Sequence, residues 1–116
     1  MKYISTRGQA PELSFDDVLL AGLARDGGLY VPESWPTWSA DDLASLRGQS
    51  YQDIAVKVMT PFLGGCIGAD EFRGLVDQAY ARFDDPDIAP LTKLSDDHWL
   101  LELFHGPTLS FKDYAL

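Results

Sequence analysis

The chain has 116 residues, with 9 Lys and Arg against 18 Asp and Glu, a formal charge of −9 and a pI near 4.3. So acidic a protein lacks the basic field that holds a phosphate backbone and is repelled by an anionic leaflet, which argues against nucleic acid and membrane surfaces as partners. Hydrophobic residues make up 46% of the chain, enough for a core and too many for intrinsic disorder, and the length by itself suits one domain rather than two. The amino terminus, Met1 to Leu13, has no continuous apolar stretch like that of a signal peptide, and no apolar run reaches the roughly 18 residues of a membrane span. On these grounds the chain reads as cytoplasmic.

Lys2 to Ser5 suits a short strand and Thr6-Arg7-Gly8 a turn. Ser14, with Asp17 three residues on, has the form of a helix N-cap, and Phe15, Val18, Leu19 and Leu23 fall near helical spacing, predicting a helix over about 15–24 that Asp26-Gly27-Gly28 breaks. Leu29 to Pro32 follows as an extended piece, and Glu33 to Trp38, which holds Trp35, Pro36 and Trp38, as an ordered loop packed by its tryptophans. Ser39 with Asp42 and Ser50 with Asp53 repeat the capping pattern. They predict a short helix over about 40–46 and a longer one from Tyr51, with Tyr51, Ile54, Ala55, Val58 and Phe62 on one face and Pro61 near its end. Cys66 has no second cysteine to pair with and no cation close in sequence, so it reads as a buried structural thiol.

The clearest periodicity is Phe72, Leu75, Val76, Ala79, Tyr80 and Phe83, which predicts a helix over Ala69 to Phe83. Beyond Asp84-Asp85-Pro86-Asp87 the character changes. Ile88 to Leu91 is short and limited by proline, and the acidic stretch through His98 reads as a solvated turn. Trp99 to Phe104 suits a strand, His105-Gly106-Pro107 a tight turn, and Ser110 onward the first turn of a helix. A strand, a glycine-bearing turn and an incipient helix are the opening of an α/β unit whose parallel strand would come next. The expected organisation is therefore a mostly helical unit over 1–85 and the start of something larger over 86–116, so that the sequence reads as a fragment.

The chemistry concentrates in that second part. Lys112 is the one basic residue between Trp99 and Leu116, flanked by Phe111 and Tyr114. A lysine in an apolar pocket near a helix N-terminus has its ammonium form disfavoured by desolvation and by the dipole, which exposes the amine as a nucleophile. A surface lysine paired with Asp113 or Glu102 fits the same residues. Thr108, Ser110, His105 and the backbone N–H groups of the turn suit an anion, while spacing alone favours an ordinary turn with Ser110 as N-cap. His98 and His105, separated by a predicted strand, have no metal-ligand spacing, so no metal site is expected.

Glu102-Leu-Phe-His-Gly-Pro-Thr-Leu-Ser-Phe-Lys-Asp113 closely resembles the cofactor-lysine motif of the threonine synthase family. Ser5-Thr-Arg-Gly8 and Asp26-Gly-Gly-Leu-Tyr-Val-Pro32 resemble that family's amino-terminal segment. The resemblance implies a pyridoxal-phosphate enzyme of the tryptophan-synthase-β-like fold (fold type II), with a threonine-synthase-like N-terminal domain over 1–85 and the truncated start of the catalytic domain over 86–116. It implies conversion of O-phosphohomoserine and water to threonine and phosphate, with Lys112 bearing the cofactor, Phe111 and Asp113 shaping or orienting its site, and Thr108 and Ser110 meeting substrate or cofactor anions. The family's glycine-rich phosphate loop lies well beyond the lysine, and the isolated pairs Gly27-Gly28 and Gly64-Gly65 do not replace it. The chain alone is therefore expected to be inactive without the rest of the catalytic domain. Two other readings remain: a threonine-synthase-like phospho-lyase that releases a keto acid, and a non-catalytic assembly module in which Tyr30, Trp35 and Trp38 anchor a partner.

Overall fold

A computed structural model describes residues 1–115; Leu116, part of the apolar end Tyr114-Ala115-Leu116 expected to lie exposed, falls outside them. In chain order the elements are β1 (Tyr3–Ser5), α1 (Phe15–Ala21), β2 (Tyr30–Pro32), α2 (Ala40–Ala44), α3 (Tyr51–Met59), a 3₁₀ helix (Thr60–Leu63), α4 (Ala69–Tyr80), β3 (Leu91–Lys93), β4 (Trp99–Leu101) and a second 3₁₀ helix (Phe111–Tyr114). This is the α/β content that the sequence predicts.

Local chemistry accounts for most helix boundaries. Ser39 and Asp42 form a complete reciprocal capping box, and the Ser50 hydroxyl accepts the Asp53 N–H at 3.1 Å. Ser14 differs: its hydroxyl donates to the Asp17 carboxylate at 2.8 Å and caps no backbone N–H. The helix it opens is also shorter than predicted, because Gly22, at φ 66°, ends α1 before the Asp26-Gly27-Gly28 breaker is reached. Pro61 acts as expected, with α3 stopping at Met59 and the chain tightening into the 3₁₀ helix.

The core gathers where α3 and α4 meet. Leu63, Phe72, Val76, Tyr80 and Ile88 are buried together, with Tyr51, Ala55, Met59, Phe83 and Tyr114 packed against them. Of the six periodic positions predicted on α4 and just beyond it, Phe72, Val76 and Tyr80 are buried, while Leu75 remains 49% exposed. Rings of Tyr51, Tyr80, Phe83 and Tyr114 follow one another at centroid distances of 4.9, 5.2 and 5.0 Å, in tilted or edge-to-face pairs. Burial in this column, with Tyr80 beside it, pushes the Tyr51 phenol up to about 12.

Two expectations need correction. The strand at Trp99 ends at Leu101 rather than Phe104, and its partner is the preceding strand: Leu91 faces Leu101 and Lys93 faces Trp99 in an antiparallel hairpin. A hairpin closes through a short turn, whereas a parallel partner needs a long crossover, so the acidic turn after Lys93 folds the chain straight back. Cys66, in turn, is exposed rather than buried. Gly64 and Gly65 both take positive φ, and this turn carries the thiol out of the core that Leu63 enters.

A large apolar surface stays uncovered. Every residue of β3 and β4 is exposed, and so are Leu19, Leu20 and Leu23 around the end of α1. The accessible surface is 8214 Å² and the radius of gyration 16.7 Å, against roughly 6,300 Å² and about 13 Å for a compact chain of this size. A two-stranded hairpin with both faces in water is at best marginally stable.

Substitutions on α4 test this packing. Phe72→Ala is expected to lower stability by about 3–5 kcal/mol in urea denaturation followed by helical circular dichroism, and Leu75→Ala by no more than about 0.5 kcal/mol. Similar losses at the two positions would contradict the observed orientation of the helix.

Candidate functional site

The two amino-terminal motifs meet in space. The Asp26 carboxylate accepts the Ser5 hydroxyl at 2.8 Å, the Gly28 N–H at 2.9 Å and the Gln9 N–H at 3.0 Å. Arg7 Nη1 donates to the Asp26 carbonyl at 3.0 Å, and the Thr6 hydroxyl accepts the Leu29 N–H at 3.0 Å. The glycines permit this approach: a Cβ on Gly28 would lie 2.5 Å from Ser5 Oγ, and one on Gly27 2.8 Å from the Arg7 guanidinium. Partial desolvation opposes the Asp26 charge, but hydrogen bonds from Gly28, Ser5, Gln9 and Ala10 prevail and hold its carboxyl below the usual range. The Gly27-Gly28 pair therefore serves close packing, as Gly64 does beside Met1, where an added Cβ would lie 2.9 Å from the terminal nitrogen.

The second cluster surrounds Lys112. After β4 the chain turns through His105 to Ser110, closed by the Leu109 N–H on the Gly106 carbonyl at 3.0 Å, with Leu109 in the left-handed region at φ 61°. Asp113 reaches back over this turn: its two carboxylate oxygens accept the Thr108 N–H at 2.8 Å and the Thr108 hydroxyl at 2.6 Å. Its side chain lies across Gly106, where an added Cβ would come within 2.5 Å of Asp113 Cβ. The Ser110 hydroxyl accepts the Lys112 N–H at 3.3 Å, so Ser110 does cap the short 3₁₀ helix that stands where the sequence predicts an α-helix. The Tyr114 hydroxyl donates to the Ile88 carbonyl at 2.7 Å and ties this helix to the core.

The five residues singled out by the sequence, Thr108, Ser110, Phe111, Lys112 and Asp113, thus share one turn and the 3₁₀ helix after it. Their surroundings differ from those imagined for them. Lys112 is exposed, with no apolar pocket around it among the described residues, and Phe111 beside it is 65% exposed. Neither suggested partner engages the lysine: Asp113 is committed to Thr108, and Glu102 accepts the Thr92 hydroxyl at 2.7 Å and the His105 ring at 2.8 Å. Among the described residues no carboxylate pairs with Lys112. The Glu102–His105 pair escaped the sequence reading, where His105 was weighed only as an anion contact or a metal ligand. Its one signal is the three-residue spacing of an acid and a histidine, which has no directional meaning outside a helix.

Residues 2–80 match the family model described as threonine synthase N terminus. The chain belongs to the threonine synthase family. A threonine synthase of Pseudomonas aeruginosa is 53% identical over the whole chain, which covers 25% of that protein. A threonine synthase-like 2 protein of Rattus norvegicus is 40% identical, again over the whole chain and 24% of the relative. In structure, the chain matches a pyridoxal-phosphate-bound threonine synthase from Brucella melitensis with a TM-score of 0.97 and 53% identity, over 99% of this chain and 25% of that one. The chain thus spans about a quarter of the length of these family members.

Two consequences can be measured. Gly106→Ala should force Asp113 off the turn, so that the Thr108 amide loses about tenfold or more of its hydrogen-exchange protection; unchanged protection would mean that Asp113 does not lie where it is described. Because folding depresses the Asp26 pKa, its contribution to stability is complete above the ordinary carboxylate range and is lost as pH falls through the folded value. Asp26→Asn should therefore lower the melting temperature at pH 7 and flatten its decline as the pH falls below the ordinary carboxylate range. Parallel curves for the two proteins would count against the Asp26 network.

Proposed function

We propose that the chain supplies the amino-terminal part and the cofactor-bearing lysine of a pyridoxal-phosphate enzyme that converts O-phosphohomoserine and water to threonine and phosphate. The supporting observation is the state of Lys112. It stands on a turn built by its neighbours' hydrogen bonds, yet both nearby acids are occupied elsewhere, which leaves a primary amine without a carboxylate partner among the described residues. A free amine on a fixed turn fits attachment to an aldehyde cofactor. Pyridoxal phosphate, when bound, supplies an electron sink for charge developing on the substrate carbons.

The roles of the chain's own residues follow from their positions. Lys112 would hold the cofactor, and its amine, when free, would move protons at the substrate carbons. Asp113 orients the turn, and the exposed Phe111 ring offers an apolar wall for the cofactor site. Thr108 and Ser110 lie one on each side of Leu109 and contribute hydroxyl groups toward cofactor or substrate anions. Thr108 gives both its hydroxyl proton and its N–H to Asp113, so its proposed anion contact requires Asp113 to release them.

The same reading gives the chain a dependence on further residues. Desolvation of Lys112 has to come from elements packed over Phe111, Leu109 and the β3–β4 hairpin, all of which are exposed here. The rest of the catalytic domain is the proposed partner, and the 116 residues alone are expected neither to hold the cofactor tightly nor to turn over. Cytoplasmic location and the absence of nucleic-acid and membrane partners belong to this proposal, on the grounds of charge. Among the described residues no helix is long and apolar enough to cross a membrane.

The test is borohydride reduction with pyridoxal phosphate, followed by mass mapping, on the full-length gene product and on the 116-residue chain. The expected outcome is a visible absorption band and a reduced adduct on Lys112 in the long form, loss of both in Lys112→Ala, and no tight adduct in the short form. No adduct on Lys112 in the long form would overturn the assignment. Tight, specific labelling of the short form would overturn its dependence on the remaining domain.

A further inference from the structure

At the root of the turn that carries Lys112, Glu102 and His105 form a partly enclosed pair of titratable side chains. Each is 18% exposed in its side chain, and His105 Nε2 lies 2.8 Å from Glu102 Oε2. The other Glu102 oxygen accepts the Thr92 hydroxyl at 2.7 Å. The Thr92 and His105 hydrogen bonds together hold the Glu102 carboxyl below its usual range, so at neutral pH it is an anion that can only accept. His105 must then carry its proton on Nε2, which fixes both the tautomer and the plane of the ring.

The backbone at this point is held from several sides. Glu102 N–H donates to the Pro90 carbonyl at 3.0 Å, the Glu102 carbonyl lies 3.4 Å from the Tyr114 hydroxyl, and the His105 carbonyl accepts the Asp84 N–H at 2.9 Å. The turn from Gly106 to Ser110 begins directly after His105 and ends at the 3₁₀ helix with Lys112. One carboxylate, Asp113, closes the tip of this turn onto Thr108; the other, Glu102, holds its root through His105. Neither touches Lys112.

We propose that Glu102 and His105 are a positioning pair for Lys112, fixing the root of the 105–110 turn and hence the direction in which the lysine presents its amine. The inference rests on Lys112 being the cofactor-bearing residue. It adds that the rate at which Lys112 captures an aldehyde depends on two side chains that do not contact it. Displacing a reacting group by an ångström through a remote change costs up to about a hundredfold in rate. Loss of a residue that orients a functional group costs about ten- to a hundredfold.

The experiment uses the full-length gene product freed of cofactor and follows the absorbance change on adding pyridoxal phosphate, with borohydride trapping at intervals to locate the adduct. Glu102→Ala and His105→Asn should each slow attachment at Lys112 by about ten- to a hundredfold, with melting temperatures close to wild type. The double variant should be no slower than the worse single one, because the pair acts as a unit. Glu102→Gln, which still offers an oxygen to Nε2–H, should recover most of the rate; if Glu102→Ala fails to fold, Glu102→Gln and His105→Asn carry the comparison. Attachment at the wild-type rate in His105→Asn would overturn the positioning role while leaving Lys112 in place. Slowing that merely tracks lowered melting temperature would reduce the pair to a structural one and overturn the proposal. Wild-type protein that forms no adduct on Lys112 would remove the reading on which the pair depends, and the pair's role with it.

Discussion

Ile88 is the knot on which the rest of the fold depends. Its side chain is the most deeply buried of the core, at 2% exposure, among Leu63, Phe72, Val76 and Tyr80. Its backbone sits at φ 62°, a conformation that crowds a β-branched residue. Burial of a large aliphatic side chain contributes roughly 1.5–3 kcal/mol, which offsets the 1–3 kcal/mol or so of such strain. The unusual dihedral has a structural result. It turns the chain after the Asp84–Asp87 segment while aiming the Ile88 carbonyl at the Tyr114 hydroxyl, 2.7 Å away. The helical pair α3–α4 and the turn bearing Lys112 are thereby joined through one residue.

Around that knot the work is divided. Apolar contacts and the column of Tyr51, Tyr80, Phe83 and Tyr114 rings place the second 3₁₀ helix against the helices. Carboxylates then set its detail, with Asp113 folding over Gly106 onto Thr108 and Glu102 gripping His105 and Thr92. Asp26 does the same at the amino terminus, drawing Ser5 and Gln9 onto the loop before β2. In each place a short polar side chain substitutes for regular secondary structure, satisfying backbone groups that the brief strands leave unpaired. An acidic chain is well supplied for this, because a carboxylate can accept from two donors at once.

How much of this is legible in the sequence depends on the range of the cause. Helices α2, α3 and α4 are local: the serine caps of α2 at Ser39 and of α3 at Ser50, and the apolar spacing of α3 and α4, reside within a few residues, and the predicted starts coincide with the observed ones. The end of α1 is also local, but the strong breaker at Gly27-Gly28 masks the earlier Gly22. Strand β3 is invisible because Leu91-Thr92-Lys93 is exposed on both faces, so no alternation marks it, and its identity lies in pairing with Trp99 to Leu101. The same holds at the site. The residues around Lys112 are evident from their motif, whereas the commitment of Asp113 to Thr108 and of Glu102 to His105 is a matter of turn geometry that spacing does not encode.

The apolar surface left open is the natural complement of this arrangement. A lysine amine is made a nucleophile by desolvation, and Lys112 is exposed in this chain. On the proposed reading the chain orients Lys112 and leaves its desolvation to whatever covers this face. The hairpin, Leu109 and Phe111 carry the exposed hydrophobic area around the turn, so the surface whose covering would desolvate the lysine is also the surface that most gains from being covered. Folding of a partner onto this face and activation of the amine would then be one event, driven by the same burial. Orientation is the part this chain can supply in advance, and the carboxylate contacts at both ends of the turn do so.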